Sequence, residues 1–346
     1  MKLLADWQCH GPLLALWPYR TDVWRAQAWP VQQAIIALLR AIAPYHPVRL
    51  GVHPPQLHTV RNRNISDLDL LTISYDDAWV RDIAPFWLSG AAGVVGRVGE
   101  FNGWHGLHSV IQRDQQFARK LANQTWLRQR RLGLVIEGGM LSTDGAGTAL
   151  VHRRSLSQRN PTLAWRTIER MLKRELGLQR IIPIEHALAA DETGGHVDNQ
   201  LQFVDANTIV FVRSVTDAHW NKEVAVIQLQ SWAREYRWVE LPPARTIRDR
   251  RDLYFEVQQH SGALKRGTQP LLCSYANLLR LPQAIAVPQF GLDSDADAVA
   301  ILRRAFADLP VIQIPALEFI RGGGGPHCLT HCLPVSEGAI TAPPRV

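Results

Sequence analysis

Short apolar runs alternate with segments of helical periodicity along most of this chain, and this alternation constrains its fold more than any other feature. Residues 31–43 repeat isoleucine and leucine at helical spacing, and Pro44 ends that helix. The pattern predicts a mixed α/β architecture, and with no evident linker we expect one domain spanning 1–346. Further predicted strands are 181–184, 208–212, 285–288, 311–314 and 317–320, and further predicted helices are 161–176 (capped by Asn160), 221–235 and 295–307.

Composition narrows the class of protein. The chain is 46% hydrophobic and 20% charged, which favours a packed core over disorder. Its most apolar helical segment is interrupted by Arg40 and is shorter than the roughly 18 residues that a membrane span needs. The first residues, with one lysine and an early Asp6, do not form a typical signal peptide. We therefore expect a cytoplasmic protein without a membrane partner.

The formal net charge of +7 raises the question of nucleic acid. The arginines are dispersed over predicted helices, and the densest basic patch, at 248–251, is interrupted by Asp249. We interpret this charge as a solvated basic surface and expect no nucleic-acid partner. The chain has only 4 cysteines, too few for a disulfide scaffold, so thiols remain for chemistry.

Five segments interrupt the apolar pattern with polar residues beside glycine, and these are the candidates for function. Glycine permits tight turns and close approach of a ligand to the backbone. The segments are DDAWVRD at 76–82, EFNGWHG at 100–106, VIEGGM at 135–140, DETGGHVDN at 191–199 and RGGGGPHC at 321–328.

Cys328 follows a run of four glycines and Pro326, where a thiol can be held at a turn. A thiolate is a strong nucleophile once its pKa approaches the working pH. The same position is also compatible with a buried, inert cysteine. Cys328 is therefore a candidate nucleophile.

His196 and Asp198 alternate in a segment that we interpret as strand-like, so both side chains would face the same space. An imidazole transfers protons, and a carboxylate binds a cation. Glu137, placed after an apolar strand, is a candidate to orient His196. The alternative for these residues is a polar turn cluster, with Glu137 exposed.

Asp82 lies among aromatic residues, including Trp79. A carboxylate between aromatic rings suits a planar, delocalised cation such as guanidinium, through paired hydrogen bonds and stacking. The alternative is a surface ion pair between Arg81 and Asp82.

Together these segments resemble the signatures of agmatine deiminases and bacterial-type peptidylarginine deiminases, a family of the guanidine-modifying (pentein) superfamily. The opening ADWQCHGPLLALWPYRTDVW is similar to the N-terminal Trp-Pro segment of that family. The resemblance covers nearly the whole chain, in the same order. It implies a five-bladed α/β propeller with pseudo-fivefold ββαβ repeats and an active site in the central channel.

The resemblance also implies the roles of particular residues. Cys328 would be the nucleophile, His196 the general acid and base, and Glu137 its orienting partner, while Asp82 and Asp198 would bind the guanidinium. The implied reaction is hydrolysis of agmatine to N-carbamoylputrescine and ammonia through a covalent cysteine adduct, a step of putrescine biosynthesis, with no metal or organic cofactor. Further candidates for binding the substrate and its distal amine are Trp79, Asp76, Asp77, Asp191 and Glu192.

Alternatives remain open at this stage. The sequence departs from the agmatine-specific pattern at Pro326 and at His331-Cys332, so peptidylarginine or another arginine derivative is a second substrate class. At helical spacing, His327, Cys328, His331 and Cys332 would also form a zinc site. A homodimer is the default expectation for assembly, because homodimers are the commonest soluble oligomers.

Overall fold

The computed structural model describes residues 1–335 except 62, 64, 92 and 259–263, so the last part of the expected 1–346 domain lies outside the described residues. The strands are β1 Lys2–Leu3, β2 Leu13–Leu16, β3 Val48–Val52, β4 Asp69–Thr72, β5 Phe86–Gly90, β6 Gly93–Glu100, β7 Arg128–Val135, β8 Leu141–Thr143, β9 Thr148–His152, β10 Arg180–Ile184, β11 Leu201–Asp205, β12 Thr208–Ser214, β13 Arg237–Ile247, β14 Leu271–Cys273, β15 Leu279–Leu281, β16 Ala284–Gln289, β17 Val311–Pro315 and β18 Thr330–Cys332.

Helices connect these strands. They are α1 Trp29–Ile42, α2 Leu57–Arg61, α3 Val80–Ile83, α4 Gly103–Gly106, α5 Asp114–Gln124, α6 Arg153–Arg159, α7 Trp165–Leu176, α8 Ala218–Gln228, α9 Ser294–Ala305 and α10 Leu317–Gly322. Short 3₁₀ helices include Asp6–Gln8, Gly138–Met140 and Val197–Asn199. Within the described ranges, no helix has the length and apolar character needed to cross a bilayer.

The strands form separate sheets that repeat one connection pattern. In each sheet an antiparallel pair is followed by a helical crossover to a parallel strand, as in β5–β6–α5–β7 and β11–β12–α8–β13. The sheet orders are β1-β5-β6-β7, β10-β9-β8, β11-β12-β13-β14, β15-β16-β17 and β18-β2-β3-β4. The predicted α/β architecture is therefore confirmed.

One of these sheets joins the two ends of the described chain. Strand β18 pairs antiparallel with β2, placing His331 opposite Leu14. β2 then pairs parallel with β3, across α1. The last strand thus completes the unit that the first segments begin, which ties the Cys328 turn to the N-terminal region.

Amphipathic helices pack against the sheets as their periodicity predicts. In α1, Ile35, Leu38, Leu39 and Ile42 are buried, so the predicted 31–43 helix is confirmed. In α7, Ile168, Leu172 and Leu176 are buried, and Gly177 caps the helix in the left-handed conformation, φ 67°. The buried apolar side chains of α1 belong to a large core cluster, and those of α7 belong to a smaller one.

Some local predictions were wrong. The segment from Asn160 does not start α7, whose N-cap is Ala164, because the Asn160 amide instead bonds the backbone of Val135. The predicted 221–235 helix ends at Gln228 and continues as a separate 3₁₀ helix, Ser231–Glu235.

Two further corrections concern segments at the site. Residues 317–320, predicted as a strand, form helix α10, which packs on α1 and β14. His196 and Asp198 do not alternate along a strand, because Val197–Asn199 is a 3₁₀ helix. Their proximity therefore comes from a tight turn rather than from strand periodicity.

Candidate active site

The segments that carry the polar residues occupy equivalent places in the repeating units. Asp82 on α3 precedes β5, and Glu137 precedes β8. Asp198 precedes β11, and Cys328 precedes β18. The remaining unit contributes Asn277, just before β15. Each unit thus brings one polar side chain of the site to the start of its first strand.

Cys328, His196 and Asp82 line one cavity of about 380 Å³. Trp79 and Trp104 form aromatic parts of its wall. All five side chains are largely buried. The structure therefore brings the candidate nucleophile, the candidate proton carrier and one candidate carboxylate into a shared cavity.

Cys328 contacts two polar groups. Its Sγ lies 3.3 Å from Asn277 Nδ2 and 3.7 Å from Asp198 Oδ2. Burial and the charges of Asp198 and Asp82 raise the pKa of the Cys328 thiol well above its usual range. Without a bound cation, Cys328 is therefore a protonated thiol.

His196 lies between two carboxylates. Its Nε2 is 3.4 Å from Glu137 Oε2, and its Nδ1 is 3.9 Å from Asp82 Oδ2. Burial alone would lower the pKa of His196, but the charge of Asp82 and the hydrogen bond to Glu137 raise it to about 10. His196 is therefore a cation at neutral pH.

Glu137 is fully buried and carries a charge because it is paired. Arg159 donates from Nε to Glu137 Oε1 at 2.9 Å, while His196 contacts the other oxygen. Although burial opposes the charged form, the His196 hydrogen bond and the Arg159 charge lower the pKa of Glu137. Glu137 is not an exposed turn residue.

Asp82 is held by two donors. Gly139 N donates to Oδ1 at 2.9 Å, and Trp104 Nε1 donates to Oδ2 at 2.8 Å. Trp104 has a left-handed backbone, φ 54°, in the EFNGWHG segment. The Arg81–Asp82 pair considered from the sequence is absent from the described contacts, because Arg81 binds Asp6 through both terminal nitrogens.

Two glycines are required by close approach. A Cβ on Gly139 would lie 2.4 Å from His196 Nδ1. A Cβ on Gly324 would lie 2.6 Å from the Trp79 ring and 3.2 Å from Cys328 Sγ. The close approach explains the glycine of the VIEGGM segment that packs on His196 and the glycine in the run before Cys328.

Asp198 lies behind Cys328 rather than in the described lining of the cavity. Its Oδ2 contacts His327 Nδ1 at 2.8 Å, whereas its Oδ1 is buried and has no partner among the described residues. Burial would raise the pKa of Asp198, but the hydrogen bond and charge of His327 lower it. A buried carboxylate oxygen without a donor is costly unless a ligand supplies one.

Three of the acidic residues considered for the distal amine, Asp76, Asp77 and Asp191, are not in the described lining of this cavity. Asp76 accepts from Arg113, and Asp77 accepts from Trp24 Nε1. Asp191 accepts from the His196 backbone and so stabilises the turn that carries this histidine. The geometry assigns these carboxylates to local structure.

Glu192 does line the cavity, together with Arg266. Arg266 Nη1 donates to both Glu192 oxygens, at 2.7 and 2.8 Å. The pair gives the cavity wall a carboxylate and a guanidinium that largely offset each other's charge.

The zinc alternative required helical spacing, and the geometry contradicts it. Residues 330–332 form strand β18, so His331 and Cys332 do not repeat the direction of His327 and Cys328. Among the residues that the structure describes, no group of three or more His, Cys, Asp or Glu has the arrangement of a metal site.

Sequence reasoning missed several residues that contact the site. Trp104 lies in the EFNGWHG segment, which was singled out above. Its contact with the site was missed because a positive φ is hard to predict for tryptophan. Asn277 and Arg266 have no glycine motif beside them. The signal that would have found Asn277 is the repeat itself, since it occupies the position before the first strand of its unit.

Comparison with known proteins gives a consistent result. Residues 2–334 match the family model of the Porphyromonas-type peptidyl-arginine deiminases. An agmatine deiminase of Ectopseudomonas mendocina is 33% identical, with 97% of this chain and 96% of that protein covered. An agmatine deiminase of Pseudomonas aeruginosa is 32% identical, with coverage of 98% and 96%.

A solved structure supports the fold independently. The agmatine deiminase of Enterococcus faecalis superposes with a TM-score of 0.89 at 24% identity, covering 96% of this chain and 95% of that one. From the match over residues 2–334 and the identity to curated members, this chain belongs to the Porphyromonas-type peptidyl-arginine deiminase family.

Proposed function

We propose that this protein is a hydrolase that deiminates a guanidinium substrate, agmatine, to N-carbamoylputrescine and ammonia through a covalent adduct on Cys328. The observation that carries the proposal is the shared cavity of Cys328, His196 and Asp82, with Asp198 behind the thiol. The curated relatives at 32–33% identity are named agmatine deiminases, which supports this substrate.

Binding comes first. The guanidinium enters between Asp82 and Asp198, which bind its nitrogens, and stacks near Trp79. Asp198 Oδ1, buried and unpaired in the described part of the chain, is an acceptor ready for such a donor. Paired charged hydrogen bonds fix the plane of the cation and expose its carbon to Cys328.

The bound cation also favours ionisation of the nucleophile. In the unliganded protein the pKa of the Cys328 thiol is raised by burial and by the charges of Asp198 and Asp82. A guanidinium placed between these carboxylates offsets their charge and therefore lowers that pKa. The thiol proton passes to solvent water, because His196 is already protonated, and the thiolate forms where its target is bound.

The thiolate then adds to the guanidinium carbon, and the resulting tetrahedral carbon loses one nitrogen. His196, cationic because its pKa is about 10, gives its proton to that nitrogen, which leaves as ammonia. An amidino-thioether remains on Cys328.

Water completes the reaction. The now neutral His196 takes a proton from water, and the hydroxide adds to the adduct carbon. Cleavage of the carbon–sulfur bond yields the ureido product and returns the thiolate. Glu137, bound to Arg159, keeps the imidazole in place and stabilises its cationic form.

We infer that the five sheets with their repeated connections form a single-domain, five-bladed α/β propeller around this site. The support is the recurrent ββαβ unit and the equivalent placement of the site residues before the first strand of each unit. We further propose a cytoplasmic location and a homodimer as the working state.

A second candidate substrate class is favoured by one observation. Arg266 lies in the cavity wall and binds Glu192, the carboxylate best placed for a distal amine. A guanidinium in the wall suits a substrate tail with a carboxylate, as in free arginine, better than the amine of agmatine.

One screen tests both candidates. Ammonia release is measured with agmatine, arginine, peptidylarginine and methylated arginines, using wild type and Cys328→Ala. We expect turnover of agmatine by wild type and none by the variant, with unchanged thermal unfolding. Equal ammonia release by Cys328→Ala would overturn the nucleophile assignment, and a preference for arginine would select the second class.

A further inference from the structure

The N-terminal segment ADWQCHG has a direct connection to the catalytic groups through Asp6. Asp6 begins a 3₁₀ helix, Asp6–Gln8, and its two carboxylate oxygens bind Arg81 at 3.0 and 2.8 Å. The same carboxylate contacts His327 Nε2 at 3.1 Å. Asp6 therefore forms the outer end of a chain of charged groups that reaches the residue preceding Cys328.

His327 connects Asp6 to Asp198. Its Nδ1 lies 2.8 Å from Asp198 Oδ2, and the ring is buried. Burial and the charge of Arg81 would lower the pKa of His327, but hydrogen bonds to Asp198 and Asp6 raise it. A cationic imidazole donates from both nitrogens, one to each carboxylate.

The backbone of His327 is fixed as well. Asn277 Oδ1 accepts from His327 N at 3.0 Å, while Asn277 Nδ2 contacts Cys328 Sγ. Arg81 N donates to the Cys328 carbonyl at 3.2 Å. The histidine ring and the thiol are therefore held in one rigid turn.

The chain of charged groups lies on the opposite side of Asp198 from the substrate. Asp6, Arg81 and His327 line a second cavity of about 660 Å³, and they are not part of the described lining of the catalytic cavity. Asp198 lies between the two cavities. His327 Nδ1 contacts Asp198 Oδ2, whereas Asp198 Oδ1 has no partner among the described residues.

A network of three buried charged groups, Arg81, His327 and Asp198, with the part-buried Asp6 needs a reason beyond stability. Replacing a buried ion network with apolar residues of similar volume is often neutral or stabilising, so such a network is weak evidence for stability alone. Orientation is a better explanation here, because the network ends on a carboxylate that touches the nucleophile.

We propose that His327, held by Asp6, is a positioning residue that orients the Asp198 carboxylate so that Oδ1 remains available for the substrate guanidinium. The proposal rests on the guanidine-hydrolase function proposed above. His327 and Asp6 do not touch substrate in this scheme. They act through Asp198.

The test exploits the geometry of amide side chains. The amide nitrogen of asparagine overlays imidazole Nδ1, whereas that of glutamine overlays Nε2. His327→Asn therefore keeps a donor toward Asp198, and His327→Gln keeps one toward Asp6. We expect His327→Asn to retain kcat/KM within about tenfold and His327→Gln to lose about a hundredfold, because a small misplacement of a binding group can cost that much.

A purely structural role predicts a different order. Glutamine is nearer to histidine in volume, so a space-filling role would favour His327→Gln. An equal or higher kcat/KM in His327→Gln than in His327→Asn would overturn the proposal, as would wild-type kinetics in both.

Substitutions of Asp6, at the outer end of the chain of charged groups, give a second test of the proposal. Asp6→Ala removes the acceptor for His327 Nε2 and should raise KM more than Asp6→Asn, which keeps an acceptor oxygen. Asp249→Asn is the matched control, since Asp249 binds Arg321 through both oxygens and is similarly part-buried. The control should change thermal unfolding without raising KM. No difference in KM between Asp6→Ala and the control would contradict the proposal.

Failure of the proposed function can be distinguished from failure of the positioning role. Ammonia release by the wild-type protein tests the proposed function. The order of kcat/KM in the two His327 variants tests the positioning role. Binding of agmatine to Cys328→Ala, with and without the His327 substitutions, is measured by calorimetry and needs no turnover. If Cys328→Ala binds agmatine and His327→Gln weakens binding more than His327→Asn, the positioning role stands even without turnover. The reverse order of binding would refute it.

Discussion

Two buried histidines lie near Cys328, since His196 lines the same cavity and His327 precedes Cys328 in the chain. Their contacts differ in a way that matches the proposed roles of proton transfer and positioning. His196 lies 3.4 Å from Glu137 and 3.9 Å from Asp82, so its contacts are long. His327 lies 2.8 Å from Asp198 and 3.1 Å from Asp6, so its contacts are short. Flanking carboxylates raise the pKa of both rings, that of His196 to about 10. The loosely held ring can exchange its proton with substrate, whereas the tightly held ring fixes its neighbour.

Other buried histidines show what the carboxylates contribute. Burial lowers the pKa of His108 to about 3 and that of His331 to about 3, since neither has a carboxylate within hydrogen-bond distance in the described contacts. Burial lowers the pKa of His152 to about 4 for the same reason. The charge state of a histidine here follows from its carboxylate partners rather than from depth.

The largest expected effect comes from removing His196. His196→Asn should lower kcat by about a thousandfold, because a general acid and base contributes on the order of 10²–10⁴. Agmatine binding by the variant should change much less. The measurement is steady-state ammonia release beside calorimetric binding, with circular dichroism as the folding control. A kcat within threefold of wild type would end the assignment of His196 to proton transfer.

Asp198→Asn should separate nucleophile ionisation from turnover. Removing the negative charge beside Cys328 lowers the pKa of the thiol, so iodoacetamide should alkylate Cys328 faster at neutral pH than in wild type. Turnover should fall by about a hundredfold, because the guanidinium loses an acceptor. Slower alkylation in Asp198→Asn would show that its charge does not control the thiol.

Asp82→Asn tests the opposite side of the cavity. The charge of Asp82 helps raise the pKa of His196, so its loss should move the alkaline limb of the kcat profile to lower pH. Guanidinium binding should weaken by about tenfold and kcat/KM should fall with it, because a contact made alike in the ground and transition states is lost from both. An alkaline limb that stays in place would mean that Asp82 does not act on His196.

The last effect concerns stability at acidic pH rather than activity. Burial lowers the pKa of His152 to about 4, and protonation would also abolish the acceptor that neutral His152 Nδ1 offers to Ser155 N at the start of α6. Because the folded pKa lies below the unfolded value of 6.5, the stabilisation from neutral His152 is present above pH 6.5 and lost as pH falls toward 4. The loss is on the order of 3 kcal/mol.

Denaturant unfolding at pH 7 and pH 4.5 measures this effect. His152→Asn, which keeps a capping acceptor and does not titrate, should show a smaller difference in unfolding free energy between the two pH values. A difference as large as that of wild type would assign the acid sensitivity to other groups.

Much of the fold was accessible from sequence because it depends on local periodicity. The helix at 31–43 and the strands near 181–184, 208–212, 285–288 and 311–314 were predicted within a few residues. The start of α7 was not, because a tertiary contact decided it, and the break after α8 was not predicted either. Asn160, a suitable helix cap by residue type, bonds Val135 instead.

By itself, the sequence determined the α/β architecture, which follows from local periodicity, and singled out the glycine-flanked polar segments as candidates for the chemistry, which follows from residue type. Only the tertiary structure decided which of those carboxylates serve the site: Asp82 lines the cavity, whereas Asp76 and Asp77 bind Arg113 and Trp24. It also brought Asp6 to His327 across most of the chain. The physical reason is that the charge and availability of a buried group depend on its partners in space, which adjacency in sequence does not specify.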